Sequence, residues 1–111
     1  MSKNSAISIR NIDIGKDFSK RLGGRLKKDS EFSGEEFLEN MLEPAFLKYE
    51  KVIIHLDSLT GWSAGFMEEA FGGLVRKYGH EKVLAKLEFV SIKRPYLIER
   101  IREYMWDARE I

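Results

Sequence analysis

A small α/β fold, with amphipathic helices packed on a mixed sheet of four to five strands, is predicted for this 111-residue chain by three features. Lys51 to Asp57 (KVIIHLD) is a short, nearly unbroken apolar run. A polar turn and a helical apolar stripe follow it directly. Further strand-like segments lie on either side of this pair, and the chain closes on an amphipathic stretch. Strands that alternate with helices imply parallel pairing through crossover connections, with the helices covering the sheet.

Near the start, Ile7 and Ile9 alternate with Ser8 and Arg10, and Ile12 and Ile14 repeat the spacing of two around Asp13, as half-buried strands do, which predicts one or two short strands. Phe18 to Asp29 contains Gly23-Gly24 and many charges without a period, so loop or frayed helix is expected. Ser33 and Glu36 then form a capping box, and Phe37, Leu38, Met41, Leu42, Ala45, Phe46 and Tyr49 share one helical face. Pro44 has no N–H to give the preceding turn, which predicts a kink or two short helices between about Gly34 and Tyr49. Successive apolar residues at Val52, Ile53 and Ile54 suit a central strand covered on both faces.

After the turn, Met67, Ala70, Phe71, Leu74, Val75 and Tyr78 form a helical stripe, and Gly79 sits where a helix C-terminus favours glycine. Glu68 and Glu69 near its start and Arg76 and Lys77 near its end match the helix dipole. Gly72-Gly73 inside this helix costs about 1 kcal/mol each relative to alanine, so a close approach is expected, by packing on the sheet or by a partner helix. Leu87 to Ile92 reads as another strand, with Val83-Leu84-Ala85 before it as a short helical connection. Pro95 opens a final helix whose inner face is Leu97, Ile98, Ile101, Met105 and Ala108.

Composition narrows the function classes. The absence of cysteine excludes a disulfide framework and a thiolate zinc site and fits a reducing cytoplasm. MSKNSAISIRN lacks the apolar centre of a signal peptide and no segment reaches membrane-spanning length, so a cytoplasmic protein without a membrane partner is expected. Nineteen basic against eighteen acidic residues leave a formal charge of +1, which supplies no global field to draw nucleic acid. No repeat or linker divides the chain, and one domain over residues 1–111 is the expectation.

The turn between strand and helix holds the candidate chemistry, because loops at the carboxyl ends of strands carry the sites of such sheets. Ser63 there has three readings: an N-cap, a phosphoacceptor or a hydrolase nucleophile. Gly61-Trp62-Ser63-Ala64-Gly65 is a literal G-x-S-x-G between a strand and a helix, as a nucleophile elbow requires. The remaining machinery is missing: His80 is the only histidine after Ser63, and a helix of that span puts it about 25 Å from the hydroxyl. His55 and Asp57 share a strand face, but two ligands do not make a metal site, and no metal or cofactor is expected.

Asp57 reads either as a functional carboxylate or as an acceptor of amides from its own turn. Trp62 and Phe66 flank the turn; an exposed aromatic there would anchor a partner, and a buried one would cover the sheet end. Lys16, Lys20, Arg21, Arg25, Lys27 and Lys28 around Gly23-Gly24 offer an alternative function, binding of a small anion or nucleotide.

The segment VIIHLDSLTGWSAGFMEEAFGGLVRKYG, followed by a strand and a terminal helix, resembles the STAS domain, the sulfate-transporter and anti-sigma-factor-antagonist fold. Together with DFSKRLGGRLKKDSEFSGEEFLENML, it is most similar to the STAS-like bacterial family of unassigned function. The resemblance implies a non-catalytic regulatory protein-interaction module. Its partner would be an anti-sigma-type regulator with a histidine-kinase-like ATPase domain. A switch by serine phosphorylation would fall at Ser63, although the antagonists place two serines before the glycine and this chain has Ser63-Ala64-Gly65. The contact surface would comprise Asp57, Trp62, Ser63, Phe66, Glu68 and Glu69.

Overall fold

A computed structural model describes residues 7–109. Residues 1–6 and 110–111, which the single-domain expectation also covers, lie outside the described residues. Strand β1 is Ile9–Asp13, β2 is Lys51–His55 and β3 is Leu87–Val90. They form one sheet in the order β1-β2-β3, and both pairings are parallel.

The expected mixed sheet of four to five strands is therefore corrected to three parallel strands among the described residues. Two local causes account for the difference. The period-two run near the start ends at Asp13, whose carboxylate accepts the Lys16 amide and caps a short helix, α1, Ile14–Asp17. The segment that follows makes only a single bridge, between Arg21 and Gly61, rather than a ladder.

Register fixes which side chains face inward. Arg10, Val52 and Leu87 form one row and Ile12, Ile54 and Phe89 the next, and Val52, Ile54 and Ile12 are fully buried beneath the helices. The alternate rows hold Ile9, Asn11, Lys51, Ile53, His55, Glu88 and Val90, none of them buried. The second face of β2 is thus open, contrary to expectation. Asn11 and Glu88, on either side of Ile53, keep that face polar; His55 Nε2 lies 2.8 Å from Asn11 Oδ1, and Lys51 pairs with Glu88.

Helix α2 starts at Gly34, capped by the buried Ser33 side chain accepting the Glu36 amide, as the capping box predicts. It runs through Gly34–Phe37, a π-helical stretch Leu38–Leu42, and Glu43–Lys48. The expected division into two short helices takes this form, with Pro44 in the first turn of Glu43–Lys48. The Glu43 N–H reaches back to the Leu38 carbonyl, five residues earlier, and this wider turn accommodates a ring that would strike a carbonyl in a regular helix.

Helix α3 has the same construction, Ala64–Met67, a π-helical stretch Glu68–Gly72, and Gly73–Tyr78, and ends at Gly79 with φ 98°. Helix α4, His80–Lys86, leads into β3, and α5, Pro95–Ala108, closes the described chain.

Helix α3 lies at the centre, between α2 and α5. Phe71 is fully buried, with its ring 6.2 Å from Phe37 of α2 and 5.3 Å from Phe89 of β3. The glycines permit this spacing. A Cβ on Gly73 would stand 2.9 Å from Leu38 Cδ2, and one on Gly72 would meet Glu68 and Ala108, so the pair faces α2 and α5 and not the sheet. Gly34 is tighter still, since a Cβ there would lie 2.5 Å from the Phe66 carbonyl oxygen.

Backbone cannot yield as a flexible side chain can, so Gly34→Ala must push α2 from α3 and is expected to cost about 1–3 kcal/mol. Gly61 has open space around its absent Cβ, and Gly61→Ala should leave stability within about 0.5 kcal/mol. Thermal unfolding of both variants checks this; equal melting temperatures would refute the assigned packing.

Candidate functional site

The carboxyl end of the sheet is built from residues 56–63, the start of α3 and the β3–α5 connection. Residues 20–22 run beside the first of these: Thr60 N–H donates to the Lys20 carbonyl at 2.8 Å and Leu22 N–H to the Gly61 carbonyl at 2.9 Å. Ser63 is the N-cap of α3, accepting the Phe66 amide at 3.1 Å. Its hydroxyl also donates to the Gly23 carbonyl at 2.8 Å, so one oxygen joins the helix start to the glycine loop over it. Neither bond leads to a base. The His55 ring nitrogen pairs with Asn11, and the His80 ring packs edge-on against Trp106, so neither histidine completes a triad with Ser63.

Asp57 accepts from Ser91 Oγ at 2.6 Å, Ile92 N–H at 2.8 Å and Lys93 N–H at 3.2 Å. The Ser91 bond, followed by the Ile92 amide, holds its carboxyl below the usual carboxylate range. The amides thus come from the β3–α5 connection and not from the turn after Asp57 itself. Ser91 Oγ also accepts the Arg94 amide at 2.9 Å. The Arg94 guanidinium lies 4.9 Å from the Trp62 ring centre and 3.4 Å from the Leu56 carbonyl, which places a cation on the indole face. Asp57 therefore acts on the rim through Arg94.

Trp62 is half-buried and opens onto a groove of about 180 Å³ lined by Ala64, Met67, Tyr96, Leu97, Arg100 and Tyr104. Tyr96 is 62% exposed and Ile92, just before α5, is 88% exposed. Tyr96, Arg100 and Tyr104 were not among the residues expected at the site. Their spacing of four marks a stripe on α5 beside the apolar stripe, a signal present in the sequence but overshadowed by the core pattern.

Phe66 does not belong to this surface. It is fully buried, with its ring 5.7 Å from Phe37 and 6.2 Å from Phe18, because the third position after the cap turns inward toward α2. Glu68 and Glu69 are also not a free acidic edge. Glu68 binds Arg25 and Arg76, and Glu69 lies 3.8 Å from Arg25. Burial pushes the Glu68 carboxyl up, but the bonds from Arg76 and Arg25 outweigh it and the net shift is downward.

The basic segment is divided in the same way. Arg25 is paired with Glu68, Lys27 Nζ lies 2.7 Å from Glu39 Oε1, and the Glu39 bond raises the Lys27 pKa. Lys20 and Arg21 run beside Thr60 and Gly61, whereas Lys27 bonds Glu35 and Glu39 of α2, so the segment's cations are divided between two places. A second groove, of about 490 Å³, lies between α4 and the end of α5, away from the rim, and includes His80, Leu84 and Trp106.

Aspartate caps a helix as well as serine does but cannot donate to the Gly23 carbonyl. Ser63→Ala, which loses both bonds, should cost about 1–2 kcal/mol, and Ser63→Asp, which keeps the cap but cannot donate to Gly23, should still be less stable than the native chain; equal stability of Ser63→Asp and the native chain would refute the second bond.

For Asp57, the lowered pKa means a stabilising contribution complete above about pH 4 and lost as pH falls through the folded-state value. The stability gap between the native chain and Asp57→Asn, followed by denaturant titration, should therefore be widest near neutrality and close in acid. A gap independent of pH would refute the role of the charge.

No curated protein and no solved structure matches the chain. A family model described as the STAS-like domain of unknown function (DUF4325) matches residues 33–97, from the cap of α2 to the first turn of α5. With the parallel pair β2 and β3, the central helix α3 and the capped turn at Ser63 inside that span, the chain belongs to this STAS-like family.

Proposed function

We propose that the chain is a non-catalytic regulatory protein-interaction module whose contact surface is the rim groove around Trp62. The observation that carries this reading is the set of side chains there: Trp62, Tyr96, Tyr104 and Arg100 line one concavity, and Arg94 lies over the Trp62 ring. Tryptophan, tyrosine and arginine are the residues enriched where interfaces concentrate their binding energy. The groove is also preorganised. Asp57 fixes the β3–α5 connection, and Arg94 on the indole face limits the rotamers Trp62 would lose on docking.

The volume favours a docked side chain over a small ligand, since 180 Å³ lies below the roughly 300–1,000 Å³ of small-molecule sites. The anion-binding alternative is weakened because Arg25 and Lys27 are already paired with carboxylates. By its likeness to anti-sigma antagonists, the partner we favour is an anti-sigma-type regulator with a histidine-kinase-like ATPase domain. A phosphate on Ser63 would act by displacing the Gly23 bond, loosening the loop over α3 as well as adding charge.

Titration calorimetry with such an ATPase domain tests the assignment. Trp62→Ala and Tyr96→Ala should each weaken binding by at least about 2 kcal/mol, roughly thirtyfold, while Leu84→Ala at the distant groove changes nothing. Binding lost with Leu84→Ala and kept with Trp62→Ala would move the contact surface elsewhere.

A further inference from the structure

Although the chain is nearly neutral overall, the groove is edged by cations. Arg100 lines it from α5, Arg94 lies over the Trp62 ring with Lys93 before it in the β3–α5 connection, and Lys20 and Arg21 run beside Thr60 and Gly61, just before Trp62. Among the described residues, Lys20 and Arg21 form no ion pair, and Lys93 has only the electrostatic attraction of Asp57. Asp57 keeps its negative charge beside Lys93, and Glu103 meets Arg100 only as a solvent-exposed pair at 3.7 Å. An exposed pair of that kind is weak, so Arg100 is available to a better placed carboxylate.

The centre of the groove is different in character. Ala64, Met67, Leu97 and the faces of Trp62 and Tyr104 give it an apolar floor in a space suited to one large side chain. An apolar floor within a cationic margin selects for charge at the edges and bulk in the middle. Arginine also binds carboxylates bidentately, and Arg94 is already held in place by the Leu56 and Asp57 carbonyls.

We infer that the partner enters this groove with an acidic segment bearing one large apolar side chain, the carboxylates meeting Arg94 and Arg100, with Lys93 beside them. The inference rests on the docking role proposed above and specifies the chemistry of its partner. Glu68 and Glu69, once candidates for the contact, are outside this margin because Arg25 and Arg76 hold them.

A phage-displayed library of random twelve-residue peptides, selected on the full chain, tests it. Recovered peptides should carry a net negative charge around a Leu, Phe, Tyr or Trp. Their binding should weaken steeply as salt rises from about 0.1 to 1 M, over which the Debye length falls from roughly 10 to 3 Å. Arg100→Glu and Lys93→Glu, both exposed and remote from the core, should each weaken a selected peptide about tenfold. In a Trp106→Phe background, the remaining indole emission should report docking at Trp62. Neutral or basic peptides that bind through Trp62 would overturn the acidic assignment and leave the docking role standing. If no peptide depends on Trp62, both fall together.

Discussion

The packing of Phe37 against Phe18, Phe66 and Phe71 is the contact on which the remaining geometry depends. The ring is fully buried, with centre distances of 5.3, 5.7 and 6.2 Å to those three neighbours. It joins α2, α3 and the segment after α1, and Phe71 extends the contact to Phe89 of the sheet. Aromatic side chains bury large areas and favour the tilted and edge-on geometries found here. Such a cluster can form only if the backbones of α2 and α3 approach closely, which is the service Gly34 and Gly73 provide.

The rim follows from that packing. With Phe66 directed inward, the chain just before it must turn at Ser63, leaving Trp62 at the sheet end and the hydroxyl beneath Gly23. A second restraint arrives from the other side, where Asp57 holds the β3–α5 connection and so sets Arg94 above the indole. The candidate interface is therefore a consequence of two short-range polar restraints resting on one aromatic cluster. Its exposed members, Tyr96 and Arg100, can change without touching either.

Much of the architecture was legible in the chain. Local signals were read correctly where the determining chemistry is local: the capping box at Ser33, the cap at Ser63, Gly79 after α3 and Pro95 opening α5. Signals that depend on a distant partner were misread. Ile53 looked buried because its neighbours along the chain are apolar, but its neighbours across the sheet are Asn11 and Glu88. Pro44 predicts a kink or two short helices, and the division appears as a π-helical turn just before it.

The candidate site divides along the same line. A capped, aromatic-bearing turn at the end of a central strand is legible from the residues alone, because periodicity, capping and turn chemistry act over a few positions. Only the tertiary structure decided that Phe66 is core, that Glu68 is held by Arg25 and Arg76, and that Tyr96 and Arg100 complete the groove. Those outcomes turn on contacts between residues tens of positions apart, whose distances are set by how the helices close over the sheet.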